Sequence, residues 1–463
     1  MRGLLASSIV VATAAALALP VALPTPALAE SVPVTPAGST QSLPLVPLGR
    51  AADRSGVPST DTSPHLPEAR GLAAHDVRTF SLVGVVWDDA STQLSGHVQV
   101  RTRSTATAAW SGWQDVETHN SEHAADPGTA ERGSGRVRGA TAPLWVGESD
   151  GVEVRVQAEP DAPAGRVAAR LPSGMRIELV DPGEAEPVAV LDGKTGRPED
   201  DDKGASGATR PGLSMAAAEA SSANAPHAPL GATELSALDK ADSTADALFA
   251  SEGALVPAAR PYIGPRPRIV TRKGWGANES LREKGFVYTG TVKAAFVHHT
   301  ASGNNYACAD APAVLRSLYR YHVVSSGWRD IGYNFAVDKC GTVYEGRAGG
   351  VAKPVLGAHT MGFNSDSMGI AVIGSYGSTA PPRAAVDAVS RLTAWKLGLF
   401  GADPRGRTTL KSAGGNLYGK GRNARLNVIS GHRDGFATEC PGRLLYGKLP
   451  ATRTASARLQ GRP

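Results

Sequence analysis

Cysteine is scarce in this chain: Cys308, Cys340 and Cys440 are the only three in 463 residues. An odd count in an oxidising compartment leaves one disulfide and one thiol with another task. Charge of one sign is also scarce. A net +5 and a pI near 9.1 are too weak and too evenly spread for a nucleic-acid binder, and suit an exported protein meeting an anionic polymer. Long apolar runs are missing after the first thirty residues, so no later stretch is expected to cross a membrane. The run at the start, residues 4–19, follows Arg2 and gives way to Pro20, Pro24 and Ala27-Leu28-Ala29. A basic start, a short apolar core and an Ala-x-Ala end make a secretory signal peptide cut after Ala29, which leaves a soluble, exported chain without stable membrane insertion.

The length exceeds one ordinary domain. Residues 30–77 are rich in Pro, Ser, Thr and Ala without periodicity and read as a flexible leader. Residues 78–183 change to strand patterning. Val152-Glu153-Val154-Arg155-Val156-Gln157 alternates strictly, Val98-Gln99-Val100-Arg101 and Arg176-Ile177-Glu178-Leu179 do so over shorter runs, and no amphipathic helix intervenes. An all-β accessory domain, a sandwich or barrel, is predicted there. Trp87, Trp110, Trp113 and Trp145 fall in it and read as packing residues rather than a carbohydrate-binding face. His97, His119 and His123 have no spacing that suggests a shared site. Residues 184–264 return to low complexity and read as a linker, with transient helix expected in its Ala-rich part from Met215 to Asp246.

From residue 265 to about 452, strands interleave with helices, which predicts an α/β domain on one mixed central sheet flanked by helices, followed by a tail at 453–463. Val314, Leu315, Leu318, Tyr319 and His322 share one helical face behind Asp310 as N-cap and Pro312 in the first turn. A second helix, 382–397, has Gly398 as its stop.

The chemistry gathers at strand ends. Ala294-Ala295-Phe296-Val297 delivers His298 and His299, while Val428-Ile429-Ser430-Gly431 delivers His432, and Cys440 follows in Thr438-Glu439-Cys440-Pro441-Gly442. Two imidazoles and a thiolate are a tetrahedral zinc set with one position left for water. Adjacent strand residues point to opposite faces, so one histidine of the pair binds; spacing alone does not say which. With Cys440 so assigned, Cys308 and Cys340 remain to form the disulfide, closing a loop that adds about 3 kcal/mol.

Residues 268–449 resemble the peptidoglycan recognition protein family, which includes the zinc N-acetylmuramoyl-L-alanine amidases of type 2. The matching residues are Val297-His298-His299-Thr300, Gly327-Trp328-Arg329-Asp330-Ile331-Gly332-Tyr333-Asn334-Phe335, Val343-Tyr344-Glu345-Gly346-Arg347, Gly357-Ala358-His359-Thr360, Gly369-Ile370 and Gly431-His432-Arg433-Asp434. The resemblance implies zinc held by His298, His432 and Cys440, with His299 in a packing role. It implies hydrolysis of the amide between the lactyl group of muramic acid and L-alanine of the stem peptide, with zinc lowering the pKa of water. Tyr333 matches the family's catalytic tyrosine. Thr438 stands where relatives carry lysine or a small hydroxyl residue, and no general base beyond the metal is evident. His322, Trp328, Arg347, His359 and Asn364 are candidate contacts to peptidoglycan or muropeptides, Arg347 through a peptide carboxylate. Some members lack the thiol and bind peptidoglycan without cutting it, which is the alternative function. A structural zinc domain is a third reading.

The cysteine assignment has a direct check. Thiol labelling of the unreduced protein is expected to spare Cys308 and Cys340, and a label on either one removes the pairing.

Overall fold

The computed structural model describes residues 38–48, 68–159, 170–184, 213–250 and 262–463. The expected signal peptide lies outside them. Among the described residues, no helix is long and apolar enough to cross a membrane.

The N-terminal part is an antiparallel sheet of eight strands. Its path runs Ser39–Pro44, Arg176–Asp181, Ala69–Trp87, Leu144–Ala158, Gly96–Ser104 and Gln114–Val116, with Val46–Pro47 and Gly139–Ala140 also paired to Ala69–Trp87. The register of Ala69–Trp87 against Leu144–Ala158 slips three times between Leu72 and Leu82. Such bulges bend and twist a strand. Side chains alternate across it: Val83, Val85 and Trp87 join Val98, Val154 and Ile177 in one core, while Leu82 and Val86 point the other way. There they meet Leu315, Leu318 and Tyr321 of the C-terminal domain. The sheet therefore has no open face at this end, and its second face is the interface between the two domains. Trp87 and Trp145 are buried, whereas Trp113 carries the Arg155 guanidinium 4.2 Å above its ring.

The C-terminal sheet has seven strands ordered Ile429–Gly431, Ala294–His299, Ser367–Val372, Phe335–Val337, Val343–Glu345, Ile269–Val270 and Glu234–Leu235. The pairs Phe335–Val337 with Val343–Glu345 and Ile269–Val270 with Glu234–Leu235 are antiparallel; the others are parallel. Its mixed character and its flanking helices match the expectation. Helices Arg383–Leu399 and Leu449–Gln460 cover one face through Val389, Leu392, Trp395 and Leu449. Helix Ala311–Arg320 covers part of the other and runs into a π-helical turn, Tyr321–Ser325. Cys308 and Cys340 are bonded, with Cα atoms 6.2 Å apart.

Several boundaries differ from those expected. Ser39–Pro44 and the start of Ala69–Trp87 lie in the supposed leader, yet Ser39–Pro44 pairs residue for residue with Arg176–Asp181. An edge strand takes its order from its partner, so weak local patterning hides it. Met215–Ser222, Glu234–Leu235 and Lys240–Phe249 lie in the supposed linker. Asn224, between two of them, donates to both Glu345 carboxylate oxygens at 2.9 and 3.0 Å. The remaining linker residues, 185–212 and 251–261, fall outside the described residues. The supposed tail is the helix Leu449–Gln460, which ends at Gly461 in the left-handed region. Gly398 lies within its helix rather than stopping it; a Cβ there would stand 2.5 Å from the Tyr262 carbonyl. Asp310 caps by position, but its carboxylate accepts from Ala307 N at 2.7 Å in the turn before the helix.

One buried charge ties the second sheet edge to the loops. Arg272, 2% exposed, binds Glu279 at 2.7 Å and Asp330 at 3.1 Å under the Trp275 and Tyr319 rings. Arg272→Met strands two buried carboxylates and is expected to cost on the order of 3–5 kcal/mol in denaturant unfolding. Arg268→Met, which removes an exposed pair with Glu234, should cost less than about 1 kcal/mol. Equal losses would contradict this ranking.

Candidate metal centre

Strand alternation decides between the paired histidines. Ala295 and Val297 enter the core under the two long helices, while Ala294 and Phe296 pack on the opposite face against Phe363 and Leu426. His298 continues the second set and is fully buried. His299 turns to the other side, where its Nδ1 accepts from Tyr376 N at 3.3 Å. The neighbouring strand Ile429–Gly431 runs parallel and ends at His432. Asp434 holds that exit by accepting from Gly431 N at 2.9 Å and from the Tyr446 hydroxyl at 2.6 Å. The loop then returns Cys440, whose amide donates to Thr438 Oγ1 at 3.2 Å.

His298, His432 and Cys440 thus converge, and a fourth donor joins them. His123, from the β-domain, completes a set of four whose ligand atoms all lie within 4.8 Å of one another. The spacings suit one tetrahedral ion. Bonds of about 2.0–2.1 Å to nitrogen and 2.3 Å to sulfur place two such nitrogens roughly 3.3 Å apart and a nitrogen and sulfur roughly 3.5 Å apart. His123 Nε2 is 3.2 Å from His432 Nδ1, and Cys440 Sγ is 3.7 Å from His298 Nδ1. His123 Nδ1 and His432 Nε2 are buried without a protein partner. Burial holds His298 and His432 far below the usual imidazole range and His123 down to about 4, so all three are neutral and keep a lone pair. Burial pushes the Cys440 thiol well up, so a cation is what would make it a thiolate. The residues fit zinc.

The other expected site residues surround this cluster. Tyr333 is buried with its ring 5.5 Å from that of His298, and burial raises its hydroxyl far above the usual range, keeping it a donor. His359 lies 5.3 Å from His298, ring to ring, with Nδ1 bonded to Thr360 Oγ1 at 3.0 Å and Nε2 buried without a partner. His322 stacks on Trp328 at 4.4 Å, and its Nδ1 accepts from Gly332 N at 3.3 Å. Three more are occupied by the β-domain. Thr438 donates to Glu122 Oε1 at 2.7 Å, Arg347 makes two 2.9 Å bonds to the Glu131 carboxylate, and Asn364 donates to Asp126 at 2.7 Å.

His123 corrects the sequence reading, which found no shared site for it. His97 and His119 are exposed and are not among the four grouped donors, but His123 is 6% exposed and is one of them. No local motif marks it. The trace it leaves is a long stretch without a strand, 117–138, in a strand-rich domain, and such loops are usually functional.

Residues 31–173 match the family described as Rv3811 N-terminal galactose-binding domain-like, and residues 288–443 match the N-acetylmuramoyl-L-alanine amidase family. Peptidoglycan-recognition protein SC2 of Drosophila simulans is 32% identical over 183 residues, covering 39% of this chain and 84% of the relative. The N-acetylmuramoyl-L-alanine amidase of Homo sapiens is 32% identical over 200 residues, covering 42% of this chain and 30% of the relative. The solved structure of wild-type Drosophila PGRP-LB matches 40% of this chain and 93% of its own, at 28% identity and a TM-score of 0.32.

Removal of one donor gives the test of this centre. His432→Ala is expected to weaken zinc binding by on the order of a hundredfold, read by competition with a chromophoric chelator. Its far-UV circular dichroism should be unchanged, because both cores of the sheet form without the cluster. Collapse of the fold on chelation would instead make the metal structural.

Proposed function

Because this chain belongs, through its C-terminal domain, to the family of N-acetylmuramoyl-L-alanine amidases and peptidoglycan recognition proteins, we propose that it is a zinc-dependent amidase. Its substrate would be peptidoglycan, and the bond cut would be the amide between the muramic acid lactyl group and L-alanine of the stem peptide. The observation that carries this is Cys440 placed with His298 and His432 in one buried cluster beside Tyr333. Export after loss of residues 1–29 and association with the cell wall belong to the same proposal.

His298, His432 and Cys440 would hold the zinc, which supplies Lewis-acid polarisation of the carbonyl and a lower pKa for water. Tyr333 keeps its proton under burial and donates it as a hydrogen bond to the oxygen on which negative charge develops. His359 is neutral, held down to about 3 by burial, and its unpartnered Nε2 is a second polar group beside His298. Freed from Glu131, Arg347 would offer a planar pair of donors to a stem-peptide carboxylate, and Asn364, freed from Asp126, a side-chain amide. His322 and Trp328 stack into a rigid wall behind Tyr333.

The second reading, a recognition protein that binds peptidoglycan without cutting, is favoured by the fourth donor, because four protein ligands leave no position for water. Product analysis separates the two. Purified peptidoglycan is incubated with the intact protein and with His123→Ala, with chelator and after zinc is restored. New L-alanine amines are expected in at least one of the two, lost on chelation and regained with zinc. In the active background, Tyr333→Phe should lower kcat by about 10²–10³-fold. Binding to sacculi with no new amine in either protein would establish the recognition reading.

A further inference from the structure

The β-domain reaches the centre through one segment. Residues 117–138 leave the sheet after Gln114–Val116 and return at Gly139–Ala140 without a strand of their own. Their contacts fall on the groups that the site reading gives to metal, mechanism and peptide. His123 Nε2 is 3.2 Å from His432 Nδ1, and Glu122 takes the Thr438 hydroxyl at 2.7 Å. Asp126 Oδ1 accepts from Gly362 N and Asn364 Nδ2, both at 2.7 Å. Glu131 lays a carboxylate across both terminal nitrogens of Arg347, the fork that a peptide carboxylate would use. A domain that served as a spacer has no need to touch any of these. His123 itself is buried, its Nδ1 lacks a partner, and its ring is placed by what Nε2 meets.

We propose that His123 is the fourth protein ligand of the metal, and that residues 117–138 are an intramolecular plug that keeps the intact chain latent. Hydrolytic zinc sites keep one position for water; with His123 in place, this protein fills that position itself. The same segment fills the peptide groove through Glu131 and Asp126. Withdrawal of the segment frees the metal position and the groove together, because one short piece of chain holds both. The inference rests on the amidase reading, but its central claim, a closed metal site, can be read without turnover.

Cobalt(II) is the probe. The intact chain, His123→Ala, and a double variant, Asp126→Asn with Glu131→Gln, which leaves every metal donor in place, are loaded with cobalt and titrated with azide. The intact protein is expected to show a tetrahedral cobalt spectrum that azide does not change. His123→Ala should bind cobalt more weakly, by on the order of tenfold or more, and its spectrum should shift as azide enters the vacated position. The double variant should acquire azide sensitivity and, given peptidoglycan, hydrolyse it on the order of tenfold or more faster than the intact chain, since activity scales with the open fraction. An intact protein whose cobalt spectrum responds to azide as His123→Ala does would overturn the plug, whatever its activity. Spectra as expected with no hydrolysis by any of the three would uphold the closed metal site and overturn the amidase reading.

Discussion

Three imidazoles and a thiol are buried together with their ligand atoms within 4.8 Å, and this desolvated cluster constrains everything around it. Polar groups taken out of water need partners, and here the protein supplies too few: nitrogens of His123, His432 and His359 lack any. Protonation does not relieve them, since burial disfavours imidazolium at each. A cation would engage the nitrogens that face one another across the cluster, His123 Nε2 and His432 Nδ1, 3.2 Å apart. The backbone shows how the cluster is held. Two parallel strands end side by side at His298 and His432, and the loop carrying Cys440 is tied back by Arg433 N to the Cys440 carbonyl at 3.1 Å.

The second dependence is on the two-faced β-sheet. Period-two alternation on Ala69–Trp87 sends Val83 and Val85 into the β-domain core and Leu82 and Val86 into the core shared with helix Ala311–Arg320. Polar contacts fix the same docking: the Tyr321 hydroxyl donates to Thr141 O at 3.1 Å and Ser325 Oγ to Glu178 at 3.0 Å. Gly84 is needed there, because a Cβ would lie 2.3 Å from the Tyr321 hydroxyl. The β-domain is therefore seated on the C-terminal domain by apolar area, and that seating carries residues 117–138 to the cluster of His298, His432 and Cys440.

What the sequence made legible follows the range of the interactions involved. The strand carrying His298, the helix face of Val314, Leu315 and Leu318, and the strand ahead of His432 are written in local periodicity, and each lies where that periodicity put it. His298 over His299 needed the family resemblance, although the alternation of Phe296 and Val297 between two cores is its physical cause. The edge strand Ser39–Pro44 and the helix Leu449–Gln460 escaped because their order comes from partners far along the chain. His123 escaped for the same reason in stronger form: it meets His432 across 309 residues, and nothing within its own loop requires a histidine.

The two layers of contact between the domains differ in how they yield. The shared core of Leu82, Val86 and Trp145 with Leu315 and Leu318 is apolar, and parting it exposes area that water penalises over every Å². The contacts of residues 122–131 are hydrogen bonds to carboxylates and one ion pair, whose groups can be rehydrated when they part, at a net of about 1.5–3 kcal/mol each. Opening the centre by separating the domains would break the first layer as well as the second; withdrawing the loop breaks the second alone. The cheaper motion leaves the β-domain seated and moves His123 with its loop. Its main resistance would then be the hold of a bound cation on His123 and the grip of Arg347 on Glu131. A peptidoglycan stem would compete for both positions, offering a carbonyl to the first and a carboxylate to the second.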